Sequence, residues 1–337
     1  MFALYTTEDK LTELYRDEGA VEWQNIIRNQ PKIYICNDSE NEEWDVTNKF
    51  LLALHLSGTS IEVNNERLKE IKEDNSKVLE LKNPAYILDF TEEEAKAIEE
   101  KYGVIFLPTE NTPSPIVAKH GWEIDTTDES KPNTWEFFLK NNKVRFNSLV
   151  IVDRYFFSSQ TGETFDDSLF NLRSILNALL PNKTMHKFTV SIIFDGSKSG
   201  FDFHDLATKV NKIKKRIVGK TPFTLELISI DSNCYKYEDT HDRFIISNYF
   251  VINATHKIKA FNAKQESLCG QKISFEYLYG KGIEKDDISS IPMVSQDRVL
   301  NAICESFHTS KAEIEYSANG QVSKKGDFSV VNDLFCY

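Results

Sequence analysis

The second half of the chain alternates strongly apolar runs with amphipathic segments, and this alternation restricts the fold most. The predicted strands are residues 147–157, 187–195, 223–230 and 243–252, and the predicted helices are 166–180 and 203–218. A strand–helix–strand–helix–strand–strand order is most easily built as a mainly parallel sheet covered by helices. We therefore predict an α/β fold with a mainly parallel sheet flanked by helices.

The first part of the chain shows the same alternation in shorter elements. Residues 85–90 are typical of a strand, Thr91 and the glutamates after it are typical of a capped helix start, and Gly103 ends that helix before a strand at 104–107. The interval 121–133 is acidic and polar, which suggests a loop or linker. We predict an acidic α/β N-terminal domain at 1–140 and a second α/β domain with a C-terminal extension at 141–337.

Charge differs between these two parts of the sequence. Residues 1–140 contain 29 acidic and 15 basic residues, whereas residues 141–337 contain 23 acidic and 25 basic ones. An anionic partner is therefore expected to meet the second part, because the first would repel it. Solubility alone is the simpler explanation of the acidic excess.

The sequence lacks the signatures of several protein classes. No stretch of 18 uninterrupted apolar residues indicates a membrane span, and the first ten residues lack a secretory signal pattern. The five cysteines are scattered and have no CxxC spacing, which indicates neither a zinc site nor a disulfide framework. We expect a cytoplasmic protein with no metal, no cofactor and no membrane partner.

His241 and Arg243 are the residues most suggestive of a ligand site. They lie two positions apart in a β-type run, which places an imidazole and a guanidinium on the same face. A guanidinium offers a planar fork of donors, and an imidazole a donor or a nucleophilic nitrogen, so the pair suits a phosphate. The alternative is structural, with His241 capping a strand entrance and Asp242 pairing with Arg243.

The pattern His241-x-Arg243-x4-Asn248 resembles the HxKxxxxD signature of the phospholipase D-like superfamily. Asp153-x-Tyr155, at the end of the first strand of the second part, is similar to the Asp-x-Tyr often seen at that place in these domains. The resemblance covers residues 145–262. It implies His241 as the nucleophile, Arg243 in place of the lysine and Asn248 in place of the acid.

The same resemblance bears on catalysis and assembly. Active members of the superfamily combine two such motifs, often from a homodimer, and no second HxK or HxR occurs in this chain. An amide at Asn248 cannot hold an imidazolium as a carboxylate does. The resemblance therefore implies a degenerate site, with a homodimer or another protein as partner.

Two further groups of residues suit an anion. Ser197 and Lys198 lie in a Gly/Ser loop between a predicted strand and helix, where backbone amides can bind phosphate, although a plain connection is the simpler explanation of the loop. Lys212, Lys215 and Arg216 form a basic helix face that could follow a nucleic-acid backbone or simply be solvated.

These observations favour a catalytically degenerate phospholipase D-like protein that binds phosphate groups of nucleic acid as an assembly or sensing subunit. Bacterial antiviral defence is the setting we expect. Two alternatives stay open from the sequence. One is a dimeric, metal-independent nuclease or phosphodiesterase that uses His241, and the other is a protein-interaction scaffold without nucleic-acid binding.

Overall fold

The computed structural model describes residues 3–29, 32–36, 43–80, 83–128, 130, 134–158, 164–235, 243–280 and 292–335. The chain divides into two compact units, residues 1–119 with 144–147 and residues 120–143 with 148–337. The sequence pattern predicts a single boundary near residue 140 instead. Among the helices described, none is both long and apolar enough to cross a membrane.

The first unit is a parallel five-stranded sheet with helices in its connections. Its strands are β1 (Ala3–Thr6), β2 (Lys32–Ile35), β3 (Ser60–Val63), β4 (Pro84–Leu88) and β5 (Ile105–Pro108). Its helices are α1 (Glu8–Arg16), α2 (Val21–Asn29), α3 (Lys49–Leu56), α4 (Glu66–Glu73) and α5 (Glu92–Tyr102). The strand order is β3-β2-β1-β4-β5, and every neighbouring pair is parallel.

Local sequence explains the clearest helix of this unit. Thr91 and Glu94 form a reciprocal capping box at the start of α5, and Gly103 ends the helix at φ 66° in the left-handed region. Mutually tilted rings of Tyr5, Tyr86 and Phe106 fill the core beside β1, β4 and β5. The capped helix followed by a strand confirms what the sequence predicted for this segment.

The second unit is built on a nine-stranded mixed sheet. Its strands are β6 (Trp122–Asp125), β7 (Ser148–Asp153), β8 (Thr189–Phe194), β9 (Thr224–Ser229), β10 (Arg243–Ser247), β11 (Phe250–Ala254), β12 (Lys272–Tyr277), β13 (Glu315–Ala318) and β14 (Gln321–Val322). Its helices are α6 (Trp135–Leu139), α7 (Phe165–Leu179), α8 (Phe203–Arg216) and α9 (Pro292–Thr309). The strand order is β14-β13-β9-β8-β7-β10-β11-β12-β6.

Only the centre of this sheet is parallel. β7, β8 and β9 run in the same direction through the crossover helices α7 and α8, as predicted, whereas every other neighbouring pair among the described strands is antiparallel. The prediction of a mainly parallel sheet is therefore wrong for this unit. The predicted strand 243–252 is in fact the hairpin of β10 and β11, and β10 lies against β7 in the opposite direction.

The segment 121–133 also departs from the prediction. We expected a loop or linker, but Trp122–Asp125 forms the edge strand β6 and pairs with β12. Gly121 makes this approach possible, because a Cβ there would overlap the carbonyl oxygen of Phe275. A polar strand at a sheet edge has one unpaired side, which is why its sequence resembles that of a loop.

A buried carboxylate fixes the C-terminal tail to the middle of the sheet. Glu226 on β9 is fully buried and accepts hydrogen bonds from Ser191 Oγ (2.6 Å), Tyr316 OH (2.7 Å) and the backbone N–H of Val331 (2.7 Å). Asn332 continues the network, donating to Ser191 Oγ at 2.9 Å. Strand β13 and the tail are thus linked to β8 and β9 through one side chain.

Replacing Glu226 by alanine should destabilise the protein strongly. The substitution leaves three donors without an acceptor, two of them on the buried residues Ser191 and Tyr316, and we expect a loss of about 3 kcal/mol or more in the free energy of unfolding. Urea unfolding measures this. Glu305→Ala, at an exposed position on α9, is the matched control and should change stability by about 0.5 kcal/mol or less. Equal stabilities of the two variants would contradict the role assigned to Glu226.

Candidate functional site

Arg243 begins β10 and lies directly opposite Asp153, the last residue of β7. Its side chain is half-buried, and among the described residues it makes one hydrogen bond, from Nη1 to the carbonyl oxygen of Thr255 at 3.4 Å. That bond is long, so within the described part of the chain most of the donors of the guanidinium have no acceptor. His241, the predicted neighbour of Arg243 on the same face, lies outside the residues that the structure describes.

Asp153 is a fully buried carboxylate beneath Arg243. Oδ1 accepts from the N–H of Tyr155 and Oδ2 from the N–H of Ile258, both at 2.9 Å. Burial raises the pKa of Asp153, while the two N–H donors and the charges of Arg243 and Lys259 oppose that rise. The carboxylate therefore ties the end of β7 to the loop that follows β11.

A second side chain, that of Gln271, also holds this loop. Gln271 is buried, and its Oε1 accepts from the N–H groups of His256 (2.9 Å) and Lys257 (3.0 Å) while its Nε2 donates to the carbonyl oxygen of Lys257 (2.8 Å). Between Asp153 and Gln271, three consecutive backbone N–H groups of the loop are bonded to fixed side chains. The loop is thus presented in a defined conformation beside Arg243.

Lys259, in the loop after β11, is buried inside the protein. Its side chain is 1% exposed, and its Nζ donates to the carbonyl oxygen of Ser158 at 2.5 Å. Burial lowers the pKa of Lys259, and the charges of Asp153 and Asp167 partly offset the effect. Lys259 acts as an internal counter-charge for Asp153 rather than as a surface group.

Arg243 and Lys257 bring two cations to one edge of the sheet. Arg243 donates to Thr255 of the loop that Asp153 and Gln271 hold, and Lys257 lies in that same loop. Burial raises the pKa of the Cys269 thiol, and the positive charges of Lys257 and Arg243 lower it in part. A guanidinium and an ammonium at one sheet edge form an environment suited to an anion.

The structure does not bring Asn248 to this place. β10 is antiparallel to β7, so Asn248 follows the opposite end of the strand, about 16 Å along the backbone from Arg243. Asn248 is 3% exposed, and its Oδ1 accepts from the N–H of Ser148 at 2.9 Å. That bond fixes the start of β7, which is a structural role.

Ser197 and Lys198 lie at the same edge as Arg243 but on the far side of β7, in a single turn of 3₁₀ helix after β8. The N–H and Oγ of Ser197 donate to Asp195 Oδ1 at 2.9 and 2.6 Å. Asp195 is buried, and its Oδ2 lies 3.5 Å from Nε of Arg154. The amide of Ser197 is thus already bonded within the protein, which weakens the case for a phosphate loop there.

Lys212, Lys215 and Arg216 are exposed on one face of α8, which begins at the edge where β8 ends and runs back along the sheet. Lys215 and Arg216 therefore lie near the opposite edge, where β9 begins, and both complement the negative end of the helix dipole. The basic face and the edge that carries Arg243 are separate surfaces.

The structure adds residues to this edge that no local sequence signal marks. Gln271 and Cys269 come from a loop more than 25 positions after Arg243, and Lys259 is buried although a lysine ordinarily lies at the surface. The described residues contain no group of three His, Cys, Asp or Glu side chains placed to bind a metal ion.

Comparison with known proteins leaves the geometry as the main guide to function. No protein-family model matches the chain. A search of curated proteins found no match either.

The raised pKa of Asp153 should make its contribution to stability depend on pH. Above about pH 4 the unfolded chain releases a proton that the folded protein keeps, so stability falls as pH rises toward the folded pKa. Asp153→Asn removes this titration. We expect the difference in unfolding free energy, wild type minus variant, to decline as the pH rises above about 4, by at most about 1.4 kcal/mol per pH unit.

Urea unfolding at several pH values measures that difference. Asp327→Asn, at an exposed position, controls for the loss of one negative charge. A difference that stays constant over the whole range would show that Asp153 has the same pKa in the folded and unfolded states.

Proposed function

We propose that the second unit is a catalytically degenerate phospholipase D-like domain that binds phosphate groups of nucleic acid. The single observation that carries the proposal is the half-buried guanidinium of Arg243 at the end of β7, hydrogen-bonded to Thr255 of the loop that Asp153 and Gln271 hold. The protein would serve as an assembly or sensing subunit, and a role in bacterial antiviral defence is part of the same proposal.

The bonding of Asp153 supports an anion-binding role for Arg243. Both oxygens of the buried carboxylate accept backbone N–H groups, so the carboxylate is not a bidentate partner for the guanidinium. Arg243 keeps donors for an external acceptor, and a phosphate can accept two of them at once. Because Asp153 and Gln271 hold the loop, little ordering of the backbone is needed on binding.

The surroundings favour the sugar–phosphate backbone over base recognition. The edge offers two cations and backbone carbonyls, whereas direct base recognition requires side chains shaped to base edges. The second part of the sequence is near neutral and the first is acidic, which favours contact through the second. Affinity that falls with salt and depends little on sequence is the expected signature.

The position of Asn248 supports degeneracy. Where the signature of the superfamily has an acid, this chain has an amide whose Oδ1 is bonded to the start of β7. Asn248 is therefore unable to orient or tune an imidazole near Arg243 from within the same chain. Binding without hydrolysis is the function that this arrangement favours.

Replacing Arg243 by alanine should weaken nucleic-acid binding about tenfold or more, because charge-assisted hydrogen bonds to a phosphate oxygen are lost. Fluorescence anisotropy with labelled single-stranded and duplex oligonucleotides at several salt concentrations measures this. The slope of log affinity against log salt should fall by about one. Arg243→Lys should retain part of the affinity, since lysine keeps the positive charge but lacks the planar set of guanidinium donors.

Arg216→Ala is the matched control, since it removes the same charge from the opposite edge of the sheet. A loss confined to Arg216→Ala would assign binding to the face of α8 and contradict the proposal. If the wild-type protein binds none of the oligonucleotides, the protein-interaction scaffold is favoured. Cleavage of the oligonucleotides in EDTA that His241→Ala abolishes would establish the nuclease alternative.

A further inference from the structure

Helix α3 of the first unit has an apolar outer face that the described part of the chain leaves uncovered. Leu51 and Leu54 point inward and are buried. Leu52 and Leu56 lie one turn apart on the outer face, where they are 39% and 76% exposed. They are the only exposed leucines among the residues that the structure describes.

The segment that precedes α3 adds to this apolar surface. Val46 is 62% exposed. Trp44 is half-buried, and the centroid of its ring lies 5.8 Å from that of His55 on the last turn of the helix. The chain before the helix therefore lies beside it. We call the apolar side chains of this surface the α3 patch: Trp44, Val46, Leu52, Ala53 and Leu56.

Contacts with α1 hold the helix in place. Asn48 caps α3, and its Nδ2 donates to Glu8 Oε1 at 3.1 Å and to Thr12 Oγ1 at 3.2 Å. The rings of Phe50 and Tyr15 stack with their centroids 3.9 Å apart. The outer face of α3 is thus presented in one orientation, so that little ordering is needed when a partner binds.

The composition of α3 indicates that its outer face meets another molecule. A helix that is apolar on all sides is normally buried on all sides, and α3 carries leucines on both of its faces. Leaving leucine side chains in water forgoes the free energy gained by burying them. A cluster of exposed apolar side chains with a polar rim is typical of an interaction site.

Negative charges lie beside the α3 patch and indicate the sign of its partner. Glu43 and Asp45 flank Trp44 and are exposed, and neither forms an ion pair with another described residue. Hydrogen bonds from the hydroxyl and the N–H of Thr47 lower the pKa of Asp45, which keeps its carboxylate ionised. The first part of the sequence is acidic as a whole, although Lys49 begins α3. A basic partner is therefore complementary to this surface.

A second copy of this chain fits the α3 patch less well than a basic segment does. Stable dimers bury about 800 Å² on each partner, and the α3 patch is far smaller. Pairing of two copies through this face would also bring two acidic rims together. A single amphipathic helix, in contrast, is of the right size to cover one stripe of a helix.

We propose that the α3 patch binds a basic amphipathic helix of a partner protein. Apolar side chains of the partner pack on Leu52 and Leu56, and its lysine or arginine residues lie near Glu43 and Asp45. The proposal is independent of phosphate binding at Arg243, because it rests on residues of the first unit alone.

Fluorescence anisotropy with the full-length protein and a labelled model helix tests the proposal. The peptide has leucines at helical spacing and lysines elsewhere, and we expect saturable binding with a Kd of about 0.1 mM or tighter that weakens as salt increases. One control peptide has glutamate in place of lysine, and another has the leucines and lysines in an order without an apolar face. Both should bind about tenfold more weakly or less.

Variants assign the binding to the α3 patch. Leu56→Ser and Leu52→Ser should each weaken it about tenfold, because less apolar surface is buried. Val218→Ser, at a position of the second unit that is 81% exposed, is the matched control and should leave it unchanged. Glu43→Gln should reduce the salt dependence, whereas Glu110→Gln, also exposed in the first unit, should not. Thermal unfolding checks that each variant is folded.

The proposal is wrong if the lysine peptide shows no saturable binding, or if Leu56→Ser and Val218→Ser weaken binding equally. Equal binding of the peptide without an apolar face would show that charge alone accounts for the signal. Self-association of the wild-type protein in sedimentation velocity that Leu56→Ser abolishes would assign the α3 patch to a second copy of the chain instead.

Discussion

The buried carboxylate of Asp153 is the interaction on which the second unit depends most. It ends the central strand β7, caps the turn that follows through the N–H of Tyr155, and holds the loop after β11 through the N–H of Ile258. A buried charge is costly, and the protein reduces that cost with two hydrogen bonds and two neighbouring cations. One of those cations, Lys259, is itself buried, whereas the other, Arg243, reaches the surface. The need to compensate the charge of Asp153 therefore also places the guanidinium of Arg243 at the surface.

A second buried carboxylate is compensated at the same edge of the sheet. Asp195, which follows β8, is fully buried, and its Oδ2 lies 3.5 Å from Nε of Arg154. The guanidinium of Arg154 is therefore used inside the protein, whereas that of Arg243, on the neighbouring strand β10, reaches the surface.

The sequence predicts the parts of this fold that depend on local signals. Apolar runs and amphipathic spacing locate β7, α7, β8, α8 and β9, because a crossover helix between parallel strands leaves a continuous pattern. These local signals do not reveal the direction of β10, because the same residues can pair with β7 in a parallel or an antiparallel arrangement. Likewise, the candidate site owes its shape to Gln271 and Cys269, whose contacts join positions far apart in the chain. Such contacts leave no periodicity, so Arg243 and Asp153 could be found from sequence and Gln271 and Cys269 could not.

The geometry of β10 also explains why the spacing of a linear motif is not evidence of a shared site. Four residues of extended strand separate Arg243 from Asn248, which places the two side chains at opposite edges of the sheet. Each end has a different local contact: Arg243 donates to the loop after β11 near the end of β7, and Asn248 supports the backbone at the start of β7. Because the contact of Asn248 needs only an acceptor oxygen for the N–H of Ser148, an amide meets it as well as a carboxylate would. An amide at this position is therefore compatible with an intact strand and an intact cationic edge.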